Sequence, residues 1–244
     1  MCKNRNYKIR RQNLYRMSTY PIQFLQGHII ASIDQFNYLI DTGSPTSFGH
    51  KTNIYINGKN FPIRDDGPGT TIETLCSLSG LKFDGLIGMD ILKHFDIQFT
   101  QNDITFSETS IPYTEPAIKL PIIDTIMTIP IIKLNVGQVD RRIIFDTGAK
   151  LSYLSDDLLV GTSVGEMEDF YPTIGIYKTN VYKIEVIMNG NTETLTFGSL
   201  PSSINILLEM GQTKGIIGTE LLNKYTIILS NSDKMLILEP NISD

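Results

Sequence analysis

Tyr38-Leu39-Ile40-Asp41-Thr42-Gly43 and, 105 residues later, Ile143-Ile144-Phe145-Asp146-Thr147-Gly148 carry one pattern: a largely apolar run, then Asp-Thr-Gly. Each is followed by a second shared signal. Gly85-Leu86-Ile87-Gly88 precedes Met89-Asp90-Ile91-Leu92, and Gly215-Ile216-Ile217-Gly218 precedes Thr219-Glu220-Leu221-Leu222. The chain therefore holds one supersecondary unit twice, and each copy delivers one carboxylate at the end of a buried strand. Two carboxylates brought together across a pseudo-two-fold axis share a proton and can activate a water.

The repeat extends outward from these motifs. Ile29–Asp41 aligns with Leu134–Asp146, His94–Phe99 with Lys224–Leu229, and Asn102–Phe106 with Ser232–Leu236. The Asp-to-Gly spacing is 44 residues in the first copy and 69 in the second, so the second carries about 25 extra residues between its motifs. Around these landmarks the sequence is short apolar runs broken by Gly, Asn, Asp and Pro, which reads as mostly β. Asn57-Gly58 and Asn189-Gly190 sit between such runs and predict two-residue hairpin turns. Helical signals are few and short: 89–94, 155–159, 203–210 and 220–224. Pro112, Pro116 and Pro121 mark a crossing segment, which divides the chain into a basic tail (1–19), a first lobe (20–110), a link (111–125) and a second lobe (126–244).

The 244 residues, 41% apolar and 19% charged, suit a globular protein with a core large enough to need no staples. There are two cysteines, Cys2 and Cys76, which argues against a structural disulfide and for a reducing, cytoplasmic setting. No apolar run predicts a membrane span or a secretory leader. Six of the 21 basic residues lie within residues 1–16, which contain no acid; the body then has 15 basic against 26 acidic residues, net −11, a poor nucleic-acid binder. The tail has three readings: a solvated arm, an extension ahead of a translation start at Met17, or a cover for an acidic cleft.

The two Asp-Thr-Gly motifs, each with its apolar-apolar-Gly partner and short helix, resemble the aspartic peptidases of pepsin-like and retropepsin-like type. Phe83-Asp84-Gly85-Leu86-Ile87-Gly88 is close to the form in the first lobe of pepsin-like enzymes. The resemblance covers about residues 20–240 and is that of a compact, single-chain, two-lobed member. It implies an all-β fold of two pseudo-symmetric lobes. It also implies a water-activating dyad of Asp41 and Asp146, no cofactor or metal, and an extended polypeptide as substrate. Because one chain supplies both aspartates, a monomer is expected. Thr42 and Thr147 would cross-link the two loops through hydroxyl bonds to the opposite backbone. Gly43 and Gly148 would let the loops approach, and the Gly85–Gly88 and Gly215–Gly218 segments would support them.

Two departures from that pattern carry expectations of their own. Ser44 follows the first triplet and Ala149 the second, so only Asp41 keeps a hydroxyl donor for its outer oxygen. This predicts a proton residing more on Asp146 and a working range less acidic than that of pepsins. The long second intermotif segment has room for a covering hairpin, a flap, that the first lacks. Tyr171-Pro172-Thr173-Ile174-Gly175 has the aromatic, apolar and glycine character of its tip, with Tyr171 nearest the dyad; an ordinary surface hairpin is the other reading. A catalytically silent or highly selective peptide-binding protein on the same fold is the alternative function. His28, His50 and His94 lack metal-ligand spacing, Asp65-Asp66-Gly67 reads as a turn, and Cys76 as a small core residue.

Overall fold

The computed structural model describes residues 16–202 and 204–241. The basic stretch before Arg16, with its three readings, lies outside the described residues. Lobe 1 comprises β1 (Met17–Leu25), β2 (His28–Ile33), β3 (Phe36–Ile40), β4 (Phe48–Gly49), β5 (Asn53–Ile56), β6 (Lys59–Pro62), α1 (Ile72–Ser79), β7 (Gly85–Ile87), α2 (Met89–Leu92), β8 (Asp96–Phe99) and β9 (Asp103–Ser107). Lobe 2 comprises β10 (Ile118–Ile126), β11 (Ile129–Val136), β12 (Val139–Phe145), β13 (Ser152–Leu154), β14 (Gly165–Tyr171), β15 (Gly175–Met188), β16 (Asn191–Ser199), α3 (Asn205–Met210), β17 (Gly215–Ile217), β18 (Tyr225–Ser230) and β19 (Met235–Pro240). This is an all-β protein with a few short helices.

Both Asn-Gly turns form as the sequence predicts. Asn57 and Gly58 have φ of 53° and 73°, Asn189 and Gly190 48° and 85°, the left-handed pair that a two-residue hairpin with right-handed twist requires. One helix has no counterpart among the predicted elements. Thr71 caps α1 by accepting the Thr74 N–H at 3.2 Å, and Gly80 ends it at φ 69°.

The repeat is a structural one. In lobe 1, Tyr38, Leu39 and Ile40 run parallel to Gly85, Leu86 and Ile87; in lobe 2, Ile143, Ile144 and Phe145 run parallel to Gly215, Ile216 and Ile217. Phe48 then pairs antiparallel with Leu86, as Tyr153 does with Ile216. The lobes join through a six-stranded antiparallel sheet in the order β1-β9-β8-β18-β19-β10. At its centre Ile97 faces Leu229, Gln98 faces Ile228 and Phe99 faces Ile227. Exchanging each residue for its repeat equivalent reproduces the same register, as an isologous contact requires, so the pseudo-two-fold axis passes between Gln98 and Ile228.

Three sequence expectations need adjustment. Met17 to Pro21 already pair with β9, so lobe 1 is built from residue 17 and not from 20. Residues 118–125, assigned to the link, are strand: β10 pairs first with β19 and then with β11. The last aligned segment is two residues out of step. Ile104 opposes Phe99 whereas Leu236 opposes Leu229, because the turn in the second copy is longer.

The extra residues of lobe 2 close a ring. β11, β12, β17, β13, β16 and β15 pair in sequence, and β15 returns to β11 through Val136 and Val186. Beyond that ring β14 and the first half of β15 project as a two-stranded arm. One core runs continuously through both lobes, with Phe95, Phe99 and Phe106 on the lobe 1 side and Phe145 and Phe197 on the other. A smaller lobe 1 cluster around Leu39, Phe48 and Ile72 takes Phe170 of the arm as a neighbour.

Candidate active site

Asp41 and Asp146 follow the ends of β3 and β12. The Asp41 N–H is held by the Ile87 carbonyl at 3.0 Å and the Asp146 N–H by the Ile217 carbonyl at 2.9 Å, so the second glycine motif of each lobe pins the aspartate of that lobe. The chain then turns back on itself. The Gly43 N–H donates to Asp41 Oδ1 at 2.8 Å, and the Gly148 N–H to Asp146 Oδ1 at 2.8 Å.

The two turns lock to each other through their threonines. Thr42 Oγ1 donates to the Phe145 carbonyl at 3.0 Å and accepts the Thr147 N–H at 2.9 Å. Thr147 Oγ1 donates to the Ile40 carbonyl at 2.8 Å and accepts the Thr42 N–H at 3.0 Å. Each hydroxyl thus satisfies one donor and one acceptor of the opposite lobe in a site without water access. The glycines permit the approach. A β-carbon on Gly43 would lie 2.2 Å from Asp146 Cγ, and one on Gly148 2.5 Å from Asp41 Cγ.

The two carboxyl groups lie close enough to perturb each other directly. Both residues are partly exposed, yet burial is the largest influence on both and raises both above the ordinary value of 3.8. The charge of Asp146 then pushes Asp41 higher still. Each carboxyl accepts the N–H of the glycine in its own motif, and neighbouring backbone N–H groups oppose the rise in both. Asp41 is raised the further of the two, which puts the charge on Asp146 and the proton on Asp41. This reverses the expectation built on Ser44. Its hydroxyl turns away from Asp41 and donates to the Thr46 carbonyl at 2.9 Å, so Asp41 has no more hydroxyl help than Asp146 beside Ala149.

Beneath the turns the glycine motifs pack against backbone. A β-carbon on Gly88 would meet the Ser44 carbonyl oxygen at 2.7 Å, and one on Gly218 the Ala149 oxygen at 2.4 Å. Two serines complete this layer and were not singled out from sequence. Ser47 Oγ accepts the Gly88 N–H at 2.9 Å, and Ser152 Oγ accepts the Gly218 N–H at 3.0 Å. They are repeat equivalents, each six residues after its aspartate, and that shared offset was the available signal.

The arm β14–β15 reaches from lobe 2 to lobe 1, where Phe170 joins the smaller lobe 1 cluster. Its tip turns through Pro172 and Thr173, with the Ile174 N–H on the Tyr171 carbonyl at 3.0 Å and Gly175 at φ 88°. The Thr173 methyl lies 3.6 Å from where a β-carbon on Gly69 of lobe 1 would sit. The Tyr171 hydroxyl is pushed up by burial and then by the charges of Asp146 and Asp41. The other hairpin, β5–β6, faces the joining sheet. Asn57 Nδ2 donates to the Phe106 carbonyl at 3.1 Å, and Phe61 packs edge-on to Phe95 at 5.7 Å.

A polar cluster close to the tip of the arm had no sequence signal. Asp169 accepts from the Tyr153 hydroxyl and from the Phe170 N–H at 2.8 Å, and Lys150 Nζ lies 3.6 Å from it. The Tyr177 hydroxyl donates to that of Tyr153 at 2.8 Å, and burial pushes Tyr177 up to about 12. The remaining sequence candidates lie apart. His50 pairs with Glu73 at 2.9 Å, His94 stacks on Phe61 at 5.6 Å, and Cys76 is a half-buried thiol on α1. Among the described residues no three His, Cys, Asp or Glu side chains gather as metal ligands would, and no helix is long and apolar enough to cross a membrane. No protein-family model matches the chain, and no curated protein matches it.

Proposed function

We propose that this chain is an aspartic endopeptidase of the pepsin-like and retropepsin-like kind, acting as a monomer on extended polypeptide without metal or organic cofactor. The observation that carries this reading is the pair of adjacent, mutually perturbing carboxyl groups on reciprocally locked turns, with Tyr171 of the β14–β15 arm close enough to feel both charges. Structural ion pairs are not built this way. Two acids forced together raise their own proton affinity and destabilise the fold, and such an arrangement persists where chemistry needs it.

In the first step a water lodged between the acids attacks the scissile carbonyl carbon. Ionised Asp146 takes a proton from that water, while Asp41 gives its proton to the carbonyl oxygen, producing a neutral gem-diol. In the second step the carbon–nitrogen bond breaks. Asp146 returns its proton to the leaving nitrogen, and one hydroxyl of the diol gives its proton back to Asp41. The dyad ends as it began. The substrate lies extended beneath the arm, where main-chain bonds hold it and alternate side chains enter pockets on either lobe.

The test is incubation of the purified protein with casein and with a peptide library, with and without pepstatin, and mass-spectrometric mapping of the products. Pepstatin-sensitive cleavage that disappears in Asp146→Asn supports the assignment. Binding of peptides without cleavage at any acidic or neutral pH favours the peptide-binding alternative.

A further inference from the structure

His28 opens β2 in lobe 1, but the groups that face its ring come from lobe 2. Phe170 of β14 packs against it at 5.7 Å between ring centroids. Asp169 of β14, Lys150 of the loop after Asp146 and the backbone of Gly148 act on it electrostatically. The ring is 3% exposed, and its Nδ1 has no hydrogen-bond partner among the described residues. Nearby, the turn before it is pressed onto the same loop. A β-carbon on Gly27 would lie 2.5 Å from Lys150 Cβ, and Thr219 Oγ1 donates to the Gly27 carbonyl at 2.6 Å. A buried imidazole with an empty nitrogen is an unusual choice for a packing contact, since an aliphatic side chain fills such space without an orphaned polar atom.

We infer that His28 is a positioning residue: it is the lobe 1 seat for the Asp169–Phe170 segment next to the tip of the arm, and it sets how firmly Tyr171 is held over the aspartates. The consequence for turnover rests on the peptidase reading; the movement of the arm does not.

The physical chemistry gives the seat a direction. With the arm down, burial lowers the His28 pKa below 6.5, Lys150 adds to the lowering, and the opposing pull of Asp169 and the Gly148 backbone is smaller. Lifting Phe170 away admits water and restores ordinary basicity. The raised arm therefore binds a proton that the seated arm refuses. Seating is at full strength above the ordinary histidine value and weakens as pH falls through the depressed one.

The chain has no tryptophan, and Ile176 is an exposed position on the arm, so Ile176→Trp introduces a single indole that reports on the arm alone. Acrylamide quenching of this variant is measured from about pH 8 to about pH 5, a range bracketing ordinary histidine titration. The expected result is a step toward stronger quenching on acidification, with a midpoint below 6.5. The step is expected to vanish when His28→Leu or His28→Gln is added, the second guarding against a fold defect in the first. Dyad titration is common to all three proteins, so it does not produce the difference. In peptide cleavage the same substitutions should remove one acidic step from the pH profile and change KM more than kcat. The absence of a step in the parent, or the same step in a histidine variant that stays folded, overturns the inference. If no peptide is cut while the step appears and vanishes as described, the seat stands and the peptidase reading falls.

Discussion

Thr42 and Thr147 exchange hydrogen bonds across the pseudo-two-fold axis, each hydroxyl serving the opposite lobe as donor at 3.0 and 2.8 Å and as acceptor at 2.9 and 3.0 Å. Both residues are fully buried, so no water can replace a lost partner. Thr42→Val keeps the shape and leaves the Thr147 N–H and the Phe145 carbonyl unpaired. The expected cost is about 2–6 kcal/mol, from two buried orphaned groups at ~1–3 each. Thr42→Ser, which retains the hydroxyl, should recover most of it. Urea denaturation of the three proteins checks this.

The acids themselves should oppose folding at neutral pH. Both carboxyl groups have folded-state pKa values above the ordinary 3.8, so the folded protein binds more protons than the unfolded chain. Stability is then highest below that ordinary value and declines as pH rises toward the raised values of the pair. Asp41→Asn and Asp146→Asn should each flatten this decline, leave the fold intact or more stable, and abolish cleavage. Thermal melts across the acidic range, beside a peptide-cleavage assay, measure both effects. A variant more pH-sensitive than wild type would contradict the burial argument.

Gly43 is required by proximity. Its backbone needs no left-handed conformation, but a β-carbon would collide with Asp146 Cγ at 2.2 Å, and no small rotation of that carboxyl clears both oxygens, at 2.2 and 2.4 Å. Gly43→Ala should therefore separate the acids, destabilise the protein and eliminate cleavage. Gly137→Ala, where nothing lies within 4 Å and only the φ of 62° is unfavourable, is the matched control. It should lose stability modestly and keep its activity.

Tyr171 feels both aspartate charges from the tip of the arm. Tyr171→Ala should lower kcat/KM by roughly tenfold or more, the equivalent of losing one contact of ~1.4 kcal/mol in the transition state. Some global stability should be lost as well, because Tyr171 packs against the main core. Steady-state kinetics with a peptide found in the library screen, together with a thermal melt, separates the two.

Much of this architecture is legible in the chain because it is local or repeated. Apolar runs ending in Asp-Thr-Gly, two Asn-Gly turns and the paired glycine motifs each specify backbone geometry within a few residues, and their duplication implies a two-fold relation. The unequal spacing between motifs shows which half has material for a long arm. Tertiary structure alone decided the rest. Ser44 turned toward Thr46, which took away the hydroxyl expected to favour charge on Asp41, because a hydroxyl chooses among acceptors only after the loop is folded. Ser47, Ser152 and the His28–Lys150–Asp169 cluster acquired partners 41 to 141 residues distant. Local pattern sets which groups a strand presents, but the pKa of a buried group depends on which distant dipoles and charges the fold brings against it.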